Sequence, residues 1–201
     1  MTQEFNAEIK TKLVAKAIQD EVFRQNLINN PNQAIKDVFG VEIPKGKSLH
    51  LLEQTSDRLY FIVPQRPAEI TDNMTENEII ERLTRDIPRI SDNLSSILDV
   101  YGKILAKIWK DPQFLDKFKA DPKTFIGAEN NTELPENMQI CVQVEDDQNE
   151  YLAVPALVAD SELTDEELEL VSGGAAVIGT IIGAILLIGG LALAYLGLIS
   201  W

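Results

Sequence analysis

Cysteine and histidine are nearly missing from this chain: Cys141 and His50 are each the only residue of their kind in 201 positions. One thiol excludes an internal disulfide and any cluster of thiolate metal ligands, and His50 has no second histidine with which to share a metal. Cys141 falls in an apolar-alternating run and reads as a small core or half-buried strand residue. No nucleophile-base pair, metal set or phosphate loop is present, so neither an enzyme nor a bound metal or cofactor is expected. The N-terminus, Met1 to Glu8, lacks both a basic start and an apolar h-region, and is not a conventional secretory signal. Export of any part of the chain needs another signal.

Charge is missing from one end and unbalanced before it. No charged side chain occurs from Ala175 to Trp201, and Lys123 is the last cation. Thirteen carboxylates follow it, from Glu129 to Glu169, whereas residues 1–123 hold eighteen basic and nineteen acidic side chains. Such an acidic stretch repels nucleic-acid phosphate and anionic lipid, so no nucleic-acid partner is expected. Two readings of it stand side by side, simple solubility and a specific basic partner.

What is present is a repeat. Shifted by 91 residues, the sequence matches itself over roughly fifty positions without insertion or deletion. Ala15-Lys16 meets Ala106-Lys107, Asp20 meets Asp111, Phe23 meets Phe114, and Pro31 meets Pro122. Further on, Glu42 and Pro44 meet Glu133 and Pro135, and Tyr60 with Val63-Pro64 meets Tyr151 with Val154-Pro155. In each copy the first part has helical spacing, through Ile9, Leu13, Ala17 and Ile18 and through Ile104, Leu105, Ile108 and Trp109. Asn30-Pro31 and Asp121-Pro122 interrupt the helix, because a residue before proline disfavours helical angles. A second short helix is expected around 32–39 and 123–127. Alternating runs follow at 48–53 and 58–64, separated by the turn-like Gln54 to Asp57, and this spacing predicts a β-hairpin. Copy two repeats the pattern at 139–144 and 150–155. Between the copies, Thr71 to Val100 reads as helix, bent or broken near Pro88.

The fold class expected is therefore α+β: two helix-helix-β-hairpin units followed by a C-terminal hydrophobic helix. Each unit is small enough to be marginal alone. The stretches Ala15 to Arg24, Asn30-Pro31, Glu42 to Pro44 and Leu59 to Pro64 resemble the nitrile hydratase-like leader peptides. That family derives from the nitrile hydratase alpha subunit and precedes natural-product precursor peptides. The resemblance covers about half the chain in two pieces. Its enzyme ancestor holds iron or cobalt with a tight cysteine cluster, which a lone Cys141 cannot supply, so hydratase activity is not implied.

Leu163 to Gly174 is the most informative stretch. Thr164 followed by Glu167 is a capping-box pattern, and Leu163, Leu168 and Val171 gather along one helix face. The stretch resembles a double-glycine leader, the type cut by the peptidase domain of peptidase-containing ABC transporters. Leu163, Thr164, Glu167, Leu168, Val171, Gly173 and Gly174 fill the family's positions, which implies a cut between Gly174 and Ala175. An amphipathic helix can dock in an apolar groove while two residues without side chains thread a narrow cleft.

The 27 residues after the cut, as a helix, reach roughly 40 Å, more than the ~30 Å hydrocarbon core of a bilayer. Gly179 with Gly183, and Gly190 with Ala194, form small-residue pairs suited to helix association in lipid. The product has no cysteine for lanthionine rings, and its aliphatic hydroxyls are Thr180 and Ser200 alone. The expectation is a precursor of a ribosomally made, bacteriocin-like peptide. Its domains are two leader units at 1–67 and 101–158, a helical linker at 68–100, a double-glycine leader helix at 159–174, and the product at 175–201. Its partners are a peptidase-containing ABC transporter, a peptide-modifying enzyme, and, for the released peptide, the membrane and other copies of itself. The precursor is expected in the cytoplasm and the product outside or in a membrane. The alternative is an acidic cytosolic domain on a permanent C-terminal anchor, although that segment lacks the Lys/Arg flank that fixes orientation.

Overall fold

The computed structural model describes residues 7–55, 57–84, 92–131 and 134–154. The chain opens with three helices, α1 (Ala7–Gln19), α2 (Glu21–Asn29) and α3 (Pro31–Phe39), and continues into strands β1 (Ser48–Glu53) and β2 (Arg58–Val63). Helix α4 (Glu76–Thr84) follows. The order then recurs as α5 (Asp92–Lys110), α6 (Pro112–Ala120), α7 (Pro122–Asn130), β3 (Gln139–Val144) and β4 (Asn149–Val154).

Caps explain where the helices stop. The Asp20 side chain accepts from the Phe23 N–H at 2.9 Å, and Asp111 accepts from the Gln113 N–H at 2.9 Å. An aspartate in this place satisfies a first-turn amide that the following helix would otherwise leave to water, so the chain restarts one helix after another. The spacing reads as one helix across Asp20, and these caps divide it in two. Asn30 and Asp121 cap α3 and α7 with nearly the same backbone angles, and a proline follows each. At the far ends Gly40 and Asn131 both adopt left-handed angles, with φ of 66° and 51°. Helix α4 starts with a reciprocal cap, Glu78 accepting from the Thr75 N–H at 2.7 Å and Thr75 Oγ1 from the Glu78 N–H at 3.2 Å. Pro88 lies outside the described residues, as does the expected C-terminal hydrophobic helix.

The strands form where the sequence places them, but the expected hairpins do not. β1 pairs with β4 and β2 with β3, both in parallel, giving two two-stranded sheets. Between β1 and β2, among the described residues, the pairing is an isolated antiparallel bridge, Thr55 with Arg58. The reason is burial. Leu59, Phe61, Ile62 and Val63 are all buried, as are Leu152, Ala153 and Val154. Strands that bury both faces read as continuous apolar runs and suit parallel pairing under helices, whereas a lone hairpin leaves one face in water and is marginal. The amide that a hairpin would have used is closed by a side chain: the Tyr60 N–H donates to Gln54 Oε1 at 3.4 Å and the Tyr151 N–H to Glu145 Oε1 at 3.1 Å.

Around the strands, positions 91 residues apart make matching backbone bonds. The Gln54 N–H donates to the Val154 carbonyl and the Glu145 N–H to that of Val63; the Ser48 N–H donates to Gln148 and the Gln139 N–H to Asp57. Ile9, Leu13 and Ala17 of α1, Ile104, Leu105 and Ile108 of α5, and the inner strand residues share one apolar core. At its centre Phe61 lies against Tyr101 and Phe118, each with ring centroids 4.8 Å away. The buried Tyr101 hydroxyl donates to the Ile62 carbonyl at 2.6 Å. Burial pushes its pKa up, which keeps it a donor.

Candidate functional site

The residues singled out for peptidase recognition and cleavage, Leu163, Thr164, Glu167, Leu168, Val171, Gly173, Gly174 and Ala175, all lie outside the described residues. So do Gly179, Gly183, Gly190 and Ala194. Among the described residues, no helix is long and apolar enough to cross a membrane.

The parallel strand pairs create two features that the sequence reading missed. The first is a cluster of charges bridging α1, the turn before β1, and the strand β4. Lys10 Nζ sits 2.6 Å from Glu150 and 4.0 Å from Glu145, and Lys47 Nζ lies 2.6 Å from Glu150. Lys10, Glu145 and Glu150 have side chains only 12%, 9% and 15% exposed, so these pairs are screened less than surface ones. For Glu150, desolvation works to raise the pKa, but hydrogen bonds from Lys10 and Lys47 outweigh it and hold the carboxyl below its ordinary range. For Glu145, desolvation wins over the more distant Lys10 and the Tyr151 N–H, and the pKa rises. Beside the cluster, His50 stacks on Tyr151 with centroids 5.1 Å apart, and its Nε2 lies 2.9 Å from Asn149 Oδ1. The signal for Lys10, Lys47 and Glu150 was present in the 91-residue comparison, where they stand opposite Tyr101, Met138 and Leu59.

The second feature is an open groove of about 530 Å³ where the end of β2 meets α5 and α6, lined by Pro64, Arg66, Trp109, Leu115, Val144 and Glu145 among others. Arg66 is braced there: its Nε donates to the Ile70 carbonyl at 2.8 Å and its Nη1 to Asp72 at 2.7 Å. Trp109 Nε1 donates to the Pro64 carbonyl at 3.4 Å. Fixed aromatic and guanidinium groups in an open groove suit contact with a polypeptide more than chemistry on a small molecule.

The donor set does not fit a metal centre of the nitrile hydratase kind. Cys141 lies on β3 opposite Tyr60, half-buried as the sequence suggested, and has no other cysteine to join it. Among the described residues, no group of three or more His, Cys, Asp or Glu is arranged to hold a metal ion.

Comparison with known proteins supplies the relationship. The family model for the nitrile hydratase alpha chain matches residues 12–88, a stretch without cysteine. The chain is 31% identical over 104 residues to polytheonamide B from Bacterium symbiont subsp. Theonella swinhoei (strain pTSMAC1), covering 47% of this chain and 71% of that protein. It is 33% identical over 64 residues to the cobalt-containing nitrile hydratase subunit alpha of Pseudonocardia thermophila, covering 32% of this chain and 31% of that subunit. In three dimensions it is similar to an Fe-type nitrile hydratase double mutant from Comamonas testosteroni Ni1, with a TM-score of 0.51 and 21% identity over 89% of this chain and 72% of that one. That likeness concerns the fold alone. The mixed helix-and-strand fold is thus of the nitrile hydratase alpha kind, and the chain belongs to the family of polytheonamide B, the nitrile hydratase-like leader peptides.

Proposed function

We propose that this chain is the precursor of a ribosomally synthesised peptide, and that it is not an enzyme. The observation that carries the reading is the 31% identity to polytheonamide B over most of that protein's length. The missing cysteine cluster supports the second half: a nitrile hydratase fold without its thiolates retains a scaffold for recognition and loses the means of hydration. In this reading residues 1–67 and 101–158 are two leader units joined by 68–100. Residues 159–174 form a double-glycine leader helix. The unit pair docks a modifying enzyme, with the groove at Arg66 and Trp109 as the candidate contact. A transporter peptidase grips Leu163, Thr164, Glu167, Leu168 and Val171, cuts after Gly174, and exports the membrane-active product at 175–201.

The test is to express the precursor with a double-glycine transporter peptidase and record a mass spectrum. A fragment beginning at Ala175 is expected, and Gly174→Leu is expected to abolish it. An intact chain beside a cleaved standard leader overturns the cleavage. Full-length protein held stably in the bacterial inner membrane supports a C-terminal anchor instead.

A further inference from the structure

The backbone bonds between the strands follow one pattern on both sides, so they cannot tell segment 7–63 from segment 98–154 as a partner. Any preference must lie in side chains. Arg24 and Glu53, opposite Leu115 and Val144, pair within the first segment and so carry no choice of partner, whereas three other positions reach across to the second. Lys10, Lys47 and Glu150 form a half-buried ionic set, with Lys10 and Lys47 in the first segment and Glu150 in the second. The places 91 residues away are Tyr101, Met138 and Leu59, all buried and apolar apart from the Tyr101 hydroxyl, which is satisfied by Ile62.

We infer that Lys10 and Lys47 opposite Glu150 are a pairing code, which makes segment 7–63 take segment 98–154 as its strand partner in preference to a second copy of itself. If β1 instead paired with β2 of another copy, Leu59 would stand in the place of Glu150, and two ammonium groups would face a leucine. If β3 paired with β4 of another copy, Tyr101 and Met138 would stand in the places of Lys10 and Lys47, and Glu150 would have no cation. Either mispairing strands a desolvated charge, which is costly, whereas the apolar trio fits all partners equally. One polar set on one side of a near-symmetric core therefore fixes which segments join. It also disfavours open-ended association between chains through like segments.

The experiment uses the full chain with a protease site inserted between Thr84 and Asp92. The folded protein is cut, unfolded in urea and refolded, and native mass spectrometry counts the pairs of halves. Wild-type halves are expected to give the mixed pair in at least about tenfold excess over either like pair. Lys10→Tyr with Lys47→Met and Glu150→Leu is expected to bring that excess down to the statistical ratio. Glu150→Leu alone is a second arm. It strands Lys10 and Lys47 in the mixed pair as in the first-half like pair, and since the cut chain supplies the halves one to one, both like pairs are expected to rise together toward the statistical ratio. Statistical pairing of the wild-type halves overturns the inference, as does an unchanged preference in the triple variant or in Glu150→Leu.

Discussion

Gln54 and Glu145 perform the same backbone task 91 residues apart, each offering Oε1 to the amide six residues further on, Tyr60 in one case and Tyr151 in the other. The task needs only an acceptor, and the charge on Glu145 adds a desolvation cost that Gln54 does not carry. With its folded pKa raised, Glu145 contributes stability below the ordinary carboxylate pKa, and that contribution is lost as pH rises through the raised value. Glu145→Gln is therefore expected to be more stable than wild type at pH 7, with the advantage shrinking on mild acidification. Urea titrations at pH 7 and pH 5 measure this, and equal midpoints at both values would count against it.

Glu150 has the opposite sign. Its folded pKa is lowered, so its contribution is present above the ordinary value and is lost as pH falls through the lowered one. The exposed carboxylates of Asp20 and Asp121, held down by cap hydrogen bonds, act in the same direction. Thermal unfolding followed by circular dichroism is expected to show a falling midpoint below about pH 4, with a shallower fall in Glu150→Gln.

Tyr101→Phe removes one buried hydroxyl and leaves the ring against Phe61. The loss of the bond to the Ile62 carbonyl is expected to cost about 1–2 kcal/mol, read as a lower urea midpoint at unchanged slope.

Phe118 is fully buried against Phe61 and beside Phe114 and Phe125. Phe118→Ala is expected to cost about 3–5 kcal/mol, since three aromatic neighbours cannot collapse into the space. A loss near 1 kcal/mol, measured by chemical denaturation, would show that this cluster does not anchor the core.

Gly40 caps α3 at φ 66°, where Asn131 caps α7 at φ 51°. Gly40→Asn is expected to be tolerated and Gly40→Ala to cost about 1 kcal/mol, because asparagine visits left-handed angles more readily than alanine. Comparing the two variants by calorimetry separates this backbone effect from contacts, for a Cβ at Gly40 meets nothing within 4 Å.

Local chemistry made much of the fold legible. Pro31 and Pro122 mark helix starts, and the alternating runs at 58–64 and 150–155 mark strands, since both signals depend on a residue and its near neighbours. The stops at Asp20 and Asp111 were also written in the chain as cap residues, but the helical spacing runs through them and conceals the break. The mutual position of Lys10, Lys47, Glu145 and Glu150 was not legible as a contact. Lys47 and Glu150 are 103 residues apart, and only the pairing of β1 with β4 brings them together.

By itself, then, the sequence determined where helix and strand lie, apart from the breaks at Asp20 and Asp111, together with the 91-residue recurrence and the absence of a thiolate set. The tertiary structure alone decided which strands pair. A four-residue connection is compatible with a hairpin, and a strand's hydrogen-bonding edge is the same toward any partner, so the choice falls to burial. Leu59, Phe61, Ile62 and Val63, with Leu152 to Val154, escape water only by crossing to the other segment.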